Sequence, residues 1–371
     1  MKNQLNIVLR EVCERGLAGG VSSGISAAVS VVKKKVRYRG SFSGGVTRYG
    51  QSGVKIETST LFDLASLTKP LCTTLCILTL IAAEKISWQD RLLFLFDSNL
   101  PPEKKKITIQ DILHHSSGLP AYKPYFMAYK PHASRENISL ILRDIINEPL
   151  AYPTGRTCLY SDLGFIVLGE LIGKIGKRPL DQFYRQQITE PLHLAEHLLF
   201  LPLDGSSHKE KKRIAATEDC PWRKTVIQGE VHDEHCWLMG GVAGHAGLFG
   251  TADAVLRLCE CLMDCWLERA NHPAFSNDLL RYALNWKNST NSWRLGFDSP
   301  SPGQSSSGRY FSPHSVGHLG FAGTSFWMDP ERDVIVVLLT NRVHPSRENM
   351  KIKEFRPFFH DFLMERIHDL F

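Results

Sequence analysis

This 371-residue chain has no cysteine pair in CxxC spacing, no block of one charge sign and no uninterrupted apolar run long enough to cross a bilayer. Its longest apolar stretch, residues 70–83, is broken by threonines and falls short of the roughly 20 residues a span needs. It reads as a buried helix, and no membrane span is expected. Nine cysteines, none in CxxC spacing, fit free thiols in a reducing compartment better than a disulfide framework, with Cys72 and Cys76 as small core residues. Glu11, Glu14 and Arg15 stand where a secretory leader would be apolar, so a cytoplasmic location is expected, or a periplasmic one if a leader has been removed or export is non-standard. The net charge of +6 is spread over short clusters at 33–35, 104–106 and 209–213, which fit solvated turns better than a nucleic-acid face.

What remains is ordinary for a folded protein, with 43% hydrophobic and 22% charged residues, and the length favours two lobes around one interface. Apolar positions three and four apart predict a surface helix over 3–17. Small and β-branched residues predict strands at 25–32 and 36–42 around the basic turn 33–35. A short approach at 61–65 leads into a nearly all-apolar helix, 66–84, of the kind found inside a fold. Helical pieces follow at 108–115, 135–146, 163–175 and 180–188, then an exposed loop at 202–213, a glycine-rich segment at 240–247 and a helix at 253–267. A polar loop at 299–312 precedes two adjacent strands, 317–328 and 334–340, and a closing helix, 353–370. Strands at both ends of the chain must pair to avoid bare edges. The predicted fold class is therefore α/β (α+β): an antiparallel sheet flanked by terminal helices, built from 1–70 and 225–371, with an inserted mainly helical lobe, 71–224.

Four Ser-x-x-Lys pairs occur. Ser30 with Lys33 lies in a predicted strand, where residues three apart face opposite ways, and Ser52 with Lys55 and Ser206 with Lys209 lie in turns or loops. Only Ser66 with Lys69 opens a helix, where this spacing puts both side chains on one face beside unpaired N–H groups. A serine hydroxyl is a poor nucleophile, and an adjacent amine whose pKa is lowered in a dry pocket activates it.

Tyr160-Ser161-Asp162 leads into a predicted helix, and His318-Leu319-Gly320 opens a predicted strand. With Ser66-Leu67-Thr68-Lys69 these boxes stand in the order found in penicilloyl serine enzymes. Over residues 20–345 the chain resembles the serine β-lactamase-like family of class C β-lactamases, D-alanyl-D-alanine carboxypeptidases and esterases. The segments 111–120, 228–234, 241–247 and 320–325 look like the same family. The resemblance implies the β-lactamase/transpeptidase fold, with Ser66 as nucleophile, Lys69 as base and Tyr160 sharing proton transfer. It also implies an oxyanion hole from the N–H groups of Ser66 and Phe321, after Gly320.

Two positions depart from the β-lactamase pattern. Asp162 stands in place of Asn, and would hold Lys69 protonated if close; His318 stands in place of Lys, a group half charged near pH 6.5 instead of a fixed cation. Both weaken attraction for a substrate carboxylate, which Arg342 would restore, and His245 in the glycine-rich segment is expected to line the pocket. Adjacent His114 and His115 point apart and the run 232–235 lacks HExxH spacing, so neither a metal nor a cofactor is expected. The resulting expectation is a serine hydrolase working through an acyl-enzyme on a D-amino-acid peptide, an ester, a peptidoglycan fragment or a β-lactam. The alternative is a catalytically weak module that binds cell-wall peptide or a protein partner.

Overall fold

A computed structural model describes residues 2–91, 95–96, 100–203, 211–273, 276–287 and 291–370. Helix α1 (Lys2–Ala18) buries Leu5, Leu9 and Val12 against a hairpin of β1 (Gly24–Lys33) and β2 (Val36–Gly45). The hairpin closes through Lys34 and Lys35, both at positive φ, as a two-residue turn twisted to match its strands requires. A short strand β3 (Phe62–Asp63) precedes the Ser66 turn and α2 (Leu75–Ala82). The inserted helices are α3 (Ile109–Leu113), α4 (Asn137–Asn147), α5 (Asp162–Gly176) and α6 (Leu180–Tyr184).

Next come β4 (Leu198–Phe200), β5 (Asp219–Cys220), β6 (Thr225–Val226), α7 (Glu234–Leu238), β7 (Leu248–Gly250), α8 (Ala252–Trp266) and α9 (Asn277–Asn285). The chain ends with β8 (Val316–Leu319), β9 (Ser325–Asp329), β10 (Val334–Thr340) and α10 (Ile352–Leu370).

The main sheet runs β2-β1-β10-β9-β8, all antiparallel, and β1 joins the end of the chain with Ile25 opposite Thr340. Early and late strands thus pair across the inserted helices, as expected. Val336 and Leu338 on β10 join the core under α1 and α10, while Val337 and Leu339 join the core shared with α8 and the helical lobe. A strand covered on both faces has to be a continuous apolar run. The one described segment apolar and long enough to cross a membrane, Ala65–Ala82, is 78% buried inside the molecule.

Two expectations need correction. The stretch 317–328 is not one strand: it folds back at Gly320–Thr324, where Gly320 N–H donates to Thr324 O at 2.8 Å, giving the hairpin β8–β9. The run 66–84 is not one α-helix either. It begins as a 3-10 turn (Ala65–Leu67), widens to a π-turn (Lys69–Thr74) and becomes α-helical from Leu75 to Ala82. Pro70 has no N–H to donate, and Thr74 Oγ1 donates to Lys69 O at 2.9 Å in the widened turn. Ser206 and Lys209 lie outside the described residues. Within the cluster 104–106, Lys104 is buried and donates to the carbonyls of Ile145 (3.1 Å), Ile146 and Glu148, capping the negative end of α4.

Candidate active site

The Ser66 turn is held from below by Asp63. One carboxylate oxygen accepts Ala65 N–H at 2.8 Å and the other accepts His232 N–H at 2.7 Å. Ala65 sits at φ 49°, a left-handed conformation unusual for a residue with a Cβ, immediately before the serine. Thr68 Oγ1 donates to Ala65 O at 2.7 Å and accepts Leu248 N–H at 3.2 Å, tying the turn to β7. Replacing Asp63 with Ala is expected to lower kcat/KM about 100-fold by letting the serine shift. Kinetics on an activated ester, with circular dichroism confirming the fold, would show this; unaltered turnover would exclude the anchoring role.

Lys69 is fully buried and reaches Ser66 Oγ at 2.9 Å, His245 O at 3.2 Å and Asp162 Oδ1 at 2.7 Å. Its ammonium lies 4.8 Å from the centre of the Tyr160 ring. Burial alone would push this amine down, but Asp162 and Tyr160 outweigh it, and the net shift is upward. The sequence-based picture of a lysine with lowered pKa is therefore corrected: Asp162 is close enough to keep Lys69 an ammonium. Burial pushes the Tyr160 phenol up to about 12, against the pull of Lys69 and of hydrogen bonds to Lys69 and Ser66.

The glycine-rich loop approaches because Gly244 and Gly169 of α5 have no side chains: a Cβ on Gly244 would fall 2.1 Å from Phe165 O and 2.8 Å from Gly169 N. The loop is pinned by Thr73 Oγ1, which donates to Gly244 O at 2.6 Å, and this places the next carbonyl, His245 O, on Lys69. Gly244→Ala is expected to cost about 1–3 kcal/mol by overpacking, read as a lower urea midpoint; an unchanged midpoint would mean the loop is free to move away.

His318 is buried on β8, with ring contacts to Tyr160 and Trp293, both at 5.9 Å. Its Nδ1 donates to Leu319 O at 2.8 Å, so Nε2 is an acceptor, and that atom has no partner among the described residues. Burial, reinforced by Lys69, holds it down to about 3. The half-charged imidazole expected near pH 6.5 is thus replaced by a neutral one. His115 and His360 are likewise held below the ordinary 6.5 chiefly by burial, His360 to about 3.

The unfolded chain takes up these protons below about pH 6.5 and the native chain does not, so stability is full above that pH and falls as pH drops toward 3. Urea midpoints are expected to decline from about pH 7 to about pH 4, less steeply in His360→Phe. Midpoints that stay flat would contradict the burial of these rings.

Gly320 and Phe321 lie in the β8–β9 turn beside the Ser66 turn, and Thr324 Oγ1 donates to Leu64 O at 3.0 Å across that gap. Among the described residues, the N–H groups of Ser66 and Phe321 have no backbone acceptor. The Phe321 ring is stacked on His232 (5.6 Å, 18°) and lies under Arg342 (4.6 Å). Arg342 lines the cleft but donates through Nε to Phe321 O (2.8 Å) and through Nη1 to Arg347 O (2.8 Å) and Asn349 O (3.0 Å). At least part of its guanidinium therefore holds main chain.

Sequence reasoning missed several residues in and behind the cleft wall. Arg347 forms a fork on Glu218 (2.7 and 2.6 Å) and also meets Glu234 (2.7 Å), while His232 Nε2 donates to Glu218 at 3.1 Å. His115 accepts Ser161 N–H at 3.1 Å and packs on Tyr160 and Trp293, both at 4.7 Å. Only the family-like segments 111–120 and 228–234 hinted at these walls. Together the residues enclose a cleft of about 650 Å³ with Ser66, Tyr160, Asp162, His245, His318, Gly320, Phe321 and Arg342 on its lining.

Residues 9–356 match a family model described as "Beta-lactamase". The chain is 31% identical over 324 residues to the "N-acetylmuramyl-L-alanine amidase" of Bacillus subtilis (strain 168), covering 78% of this chain and 70% of that protein. It is 31% identical over 331 residues to a "Putative D-alanyl-D-alanine carboxypeptidase" of Salmonella typhi, covering 81% and 73%. The fold is similar to that of "EstCE1, a hydrolase with promiscuous acyltransferase activity", with a TM-score of 0.74 at 18% identity over 98% of this chain and 99% of that one. A family match over nearly the whole length, on a sheet and helical lobe that bring serine, lysine and tyrosine to one cleft, shows that the chain belongs to the β-lactamase family and is a serine hydrolase of that family.

Proposed function

We propose that Ser66 is the nucleophile of this hydrolase and that its substrate is an amide of a peptidoglycan-derived peptide. The observation that carries the reading is the contact of Ser66 Oγ with Lys69 Nζ at 2.9 Å, inside a cluster completed by Asp162 and Tyr160. As the Oγ–C bond forms, the hydroxyl proton passes to the Lys69–Tyr160 pair, and the N–H groups of Ser66 and Phe321 take the charge growing on the carbonyl oxygen. The leaving amine receives a proton from the pair, and water then cleaves the acyl ester to free the acid and regenerate Ser66. Because Lys69 rests as an ammonium, turnover draws on the fraction of molecules in which the pair has lost one proton.

The printed names of the amidase and carboxypeptidase relatives support a cell-wall peptide. So does a cleft with Tyr122, Trp293 and Phe321 among its rings, which offer apolar faces to a peptide, and Lys353 on its lining, which offers a charge to a peptide carboxylate. Neutral His318 offers no cation to a β-lactam carboxylate, so a β-lactam is a slow covalent ligand, whereas esters remain usable. All nine cysteines are free, which supports action in a reducing compartment, on muropeptides already released from the wall.

A panel of a nitrophenyl ester, an N-acetylmuramyl-L-alanine amide, a D-alanyl-D-alanine peptide and a chromogenic cephalosporin tests this. The highest kcat/KM is expected on one of the two cell-wall amides, and none in Ser66→Ala. Turnover that survives Ser66→Ala would overturn the assignment, and preference for the cephalosporin would overturn the substrate class.

A further inference from the structure

One cluster in the cleft wall is unused by the chemistry above. Asp233 caps the amino end of α7, His235 lies in the first turn of that helix, and His245 returns from the glycine-rich loop. One donor atom from each of the three lies within 4.8 Å of the others. Asp233 Oδ1 is already oriented, accepting from Cys236 N–H at 2.8 Å and from His245 Nε2 at 2.7 Å.

His235 is the anomaly. It is 1% exposed, ringed by Tyr122 (5.4 Å), Phe126 (5.6 Å) and Tyr125 (5.8 Å), and neither of its nitrogens has a hydrogen-bond partner among the described residues. His245, also 1% exposed, has an Nδ1 with no partner among the described residues. A buried polar atom left unpaired costs about 1–3 kcal/mol, and a purely structural role for His235 would be met more cheaply by Phe in such an aromatic cage. Two imidazoles and one carboxylate are the donor set of zinc and its neighbours among the divalent transition metals.

We infer that Asp233, His235 and His245 bind one divalent transition-metal ion of the zinc class in the wall of the active-site cleft. Two donors about 2.1 Å from a tetrahedral ion stand about 3.4 Å apart, so closing the site requires the most separated pair to approach by up to about 1.4 Å from the present spacing. Asp233 and His245 line the cleft while His235 is covered by rings, so the open coordination position faces the cleft. It is placed for a water or a carboxylate or hydroxyl oxygen of a bound substrate. Three protein ligands plus one open position is the arrangement of a metal that meets ligand rather than one that only braces a fold. Spacing alone does not reveal this site, because the third donor arrives ten residues later through a loop and not at helical spacing.

The site does not depend on Ser66 chemistry, so it is tested on the full chain carrying Ser66→Ala. Chelator-treated protein is titrated calorimetrically with zinc chloride, and cobalt(II) absorption reports the donor type. The expected result is one equivalent per chain with an imidazole and carboxylate spectrum. His235→Phe and His245→Gln should each weaken zinc binding by more than the roughly 10- to 100-fold that loss of an outer-shell partner costs. His235→Phe matches its aromatic cage and should keep the metal-free urea midpoint at or above that of the parent, so loss of binding there is not loss of fold. Cys158→Ser with Cys261→Ser, replacing the two partly exposed thiols, should leave binding intact. No stoichiometric binding, binding that survives both histidine variants, or binding lost with the two thiols would each overturn the site.

Discussion

Lys69→Met is expected to reduce kcat/KM by about 1,000- to 10,000-fold, the upper range for loss of a positioned proton-transfer group. Among the described residues Lys69 is the one cation that touches Ser66 Oγ, and it also joins Asp162 to the carbonyl of His245. Methionine fills the space beside Tyr160 and Phe165 but leaves two acceptors, the Asp162 carboxylate and His245 O, without their donor. The freed carboxylate is then the strongest nearby acceptor for the Ser66 hydroxyl, which would hold the nucleophile without carrying its proton onward. The loss should fall on kcat, with KM little changed, because no contact assigned to substrate binding is removed. Steady-state kinetics on a nitrophenyl ester checks this; a fall of less than about tenfold would mean that the proton goes elsewhere.

Asp162→Asn is expected to move the rising limb of the pH profile to lower pH by about 1–3 units, the range for loss of one close opposite charge. The sign follows from the causes acting on Lys69. Burial pushes the amine down and Asp162 is the largest influence pushing it up, so removing the anion moves the amine down. Tyr160 moves the same way, since Asp162 also raises its phenol. The base form of the pair then appears at lower pH, and turnover near neutrality rises instead of falling. The profile of kcat/KM is to be measured with chelator present, so that no metal charge in the neighbouring wall contributes. A limb that stays in place or moves up would show that Asp162 does not set the charge of Lys69.

The sheet and the order of its elements were legible because period-two and three-or-four spacing extend over whole strands and helices. The pairing of β1 with β10 followed from the need to cover edges. The turn that splits β8 from β9 was not legible, since Phe321 and Ala322 continue the apolar pattern and only Gly323, at φ 97°, marks the reversal. Strands of two or three residues, such as β3, β4 and β7, are too short to show any period, yet β3 and β7 seat the Ser66 turn.

At the site, the Ser66–Lys69 relation was readable because it is local. The charge on Lys69 was not, because it depends on Asp162, which is brought beside it only by the packing of α5. The neutrality of His318 likewise comes from burial beside a cation nearly 250 residues away. Glu218 and Arg347 meet across 129 positions, and no pattern in sequence links them.

Peptide mapping by mass spectrometry after exposure to a fluorophosphonate or a penicillin tests the assignment of Ser66 most directly. A single adduct on the peptide that begins the Ser66 turn, slowed in Lys69→Met and absent in Ser66→Ala, is the expected outcome. An adduct on any other side chain, or one that forms equally in Ser66→Ala, would contradict it.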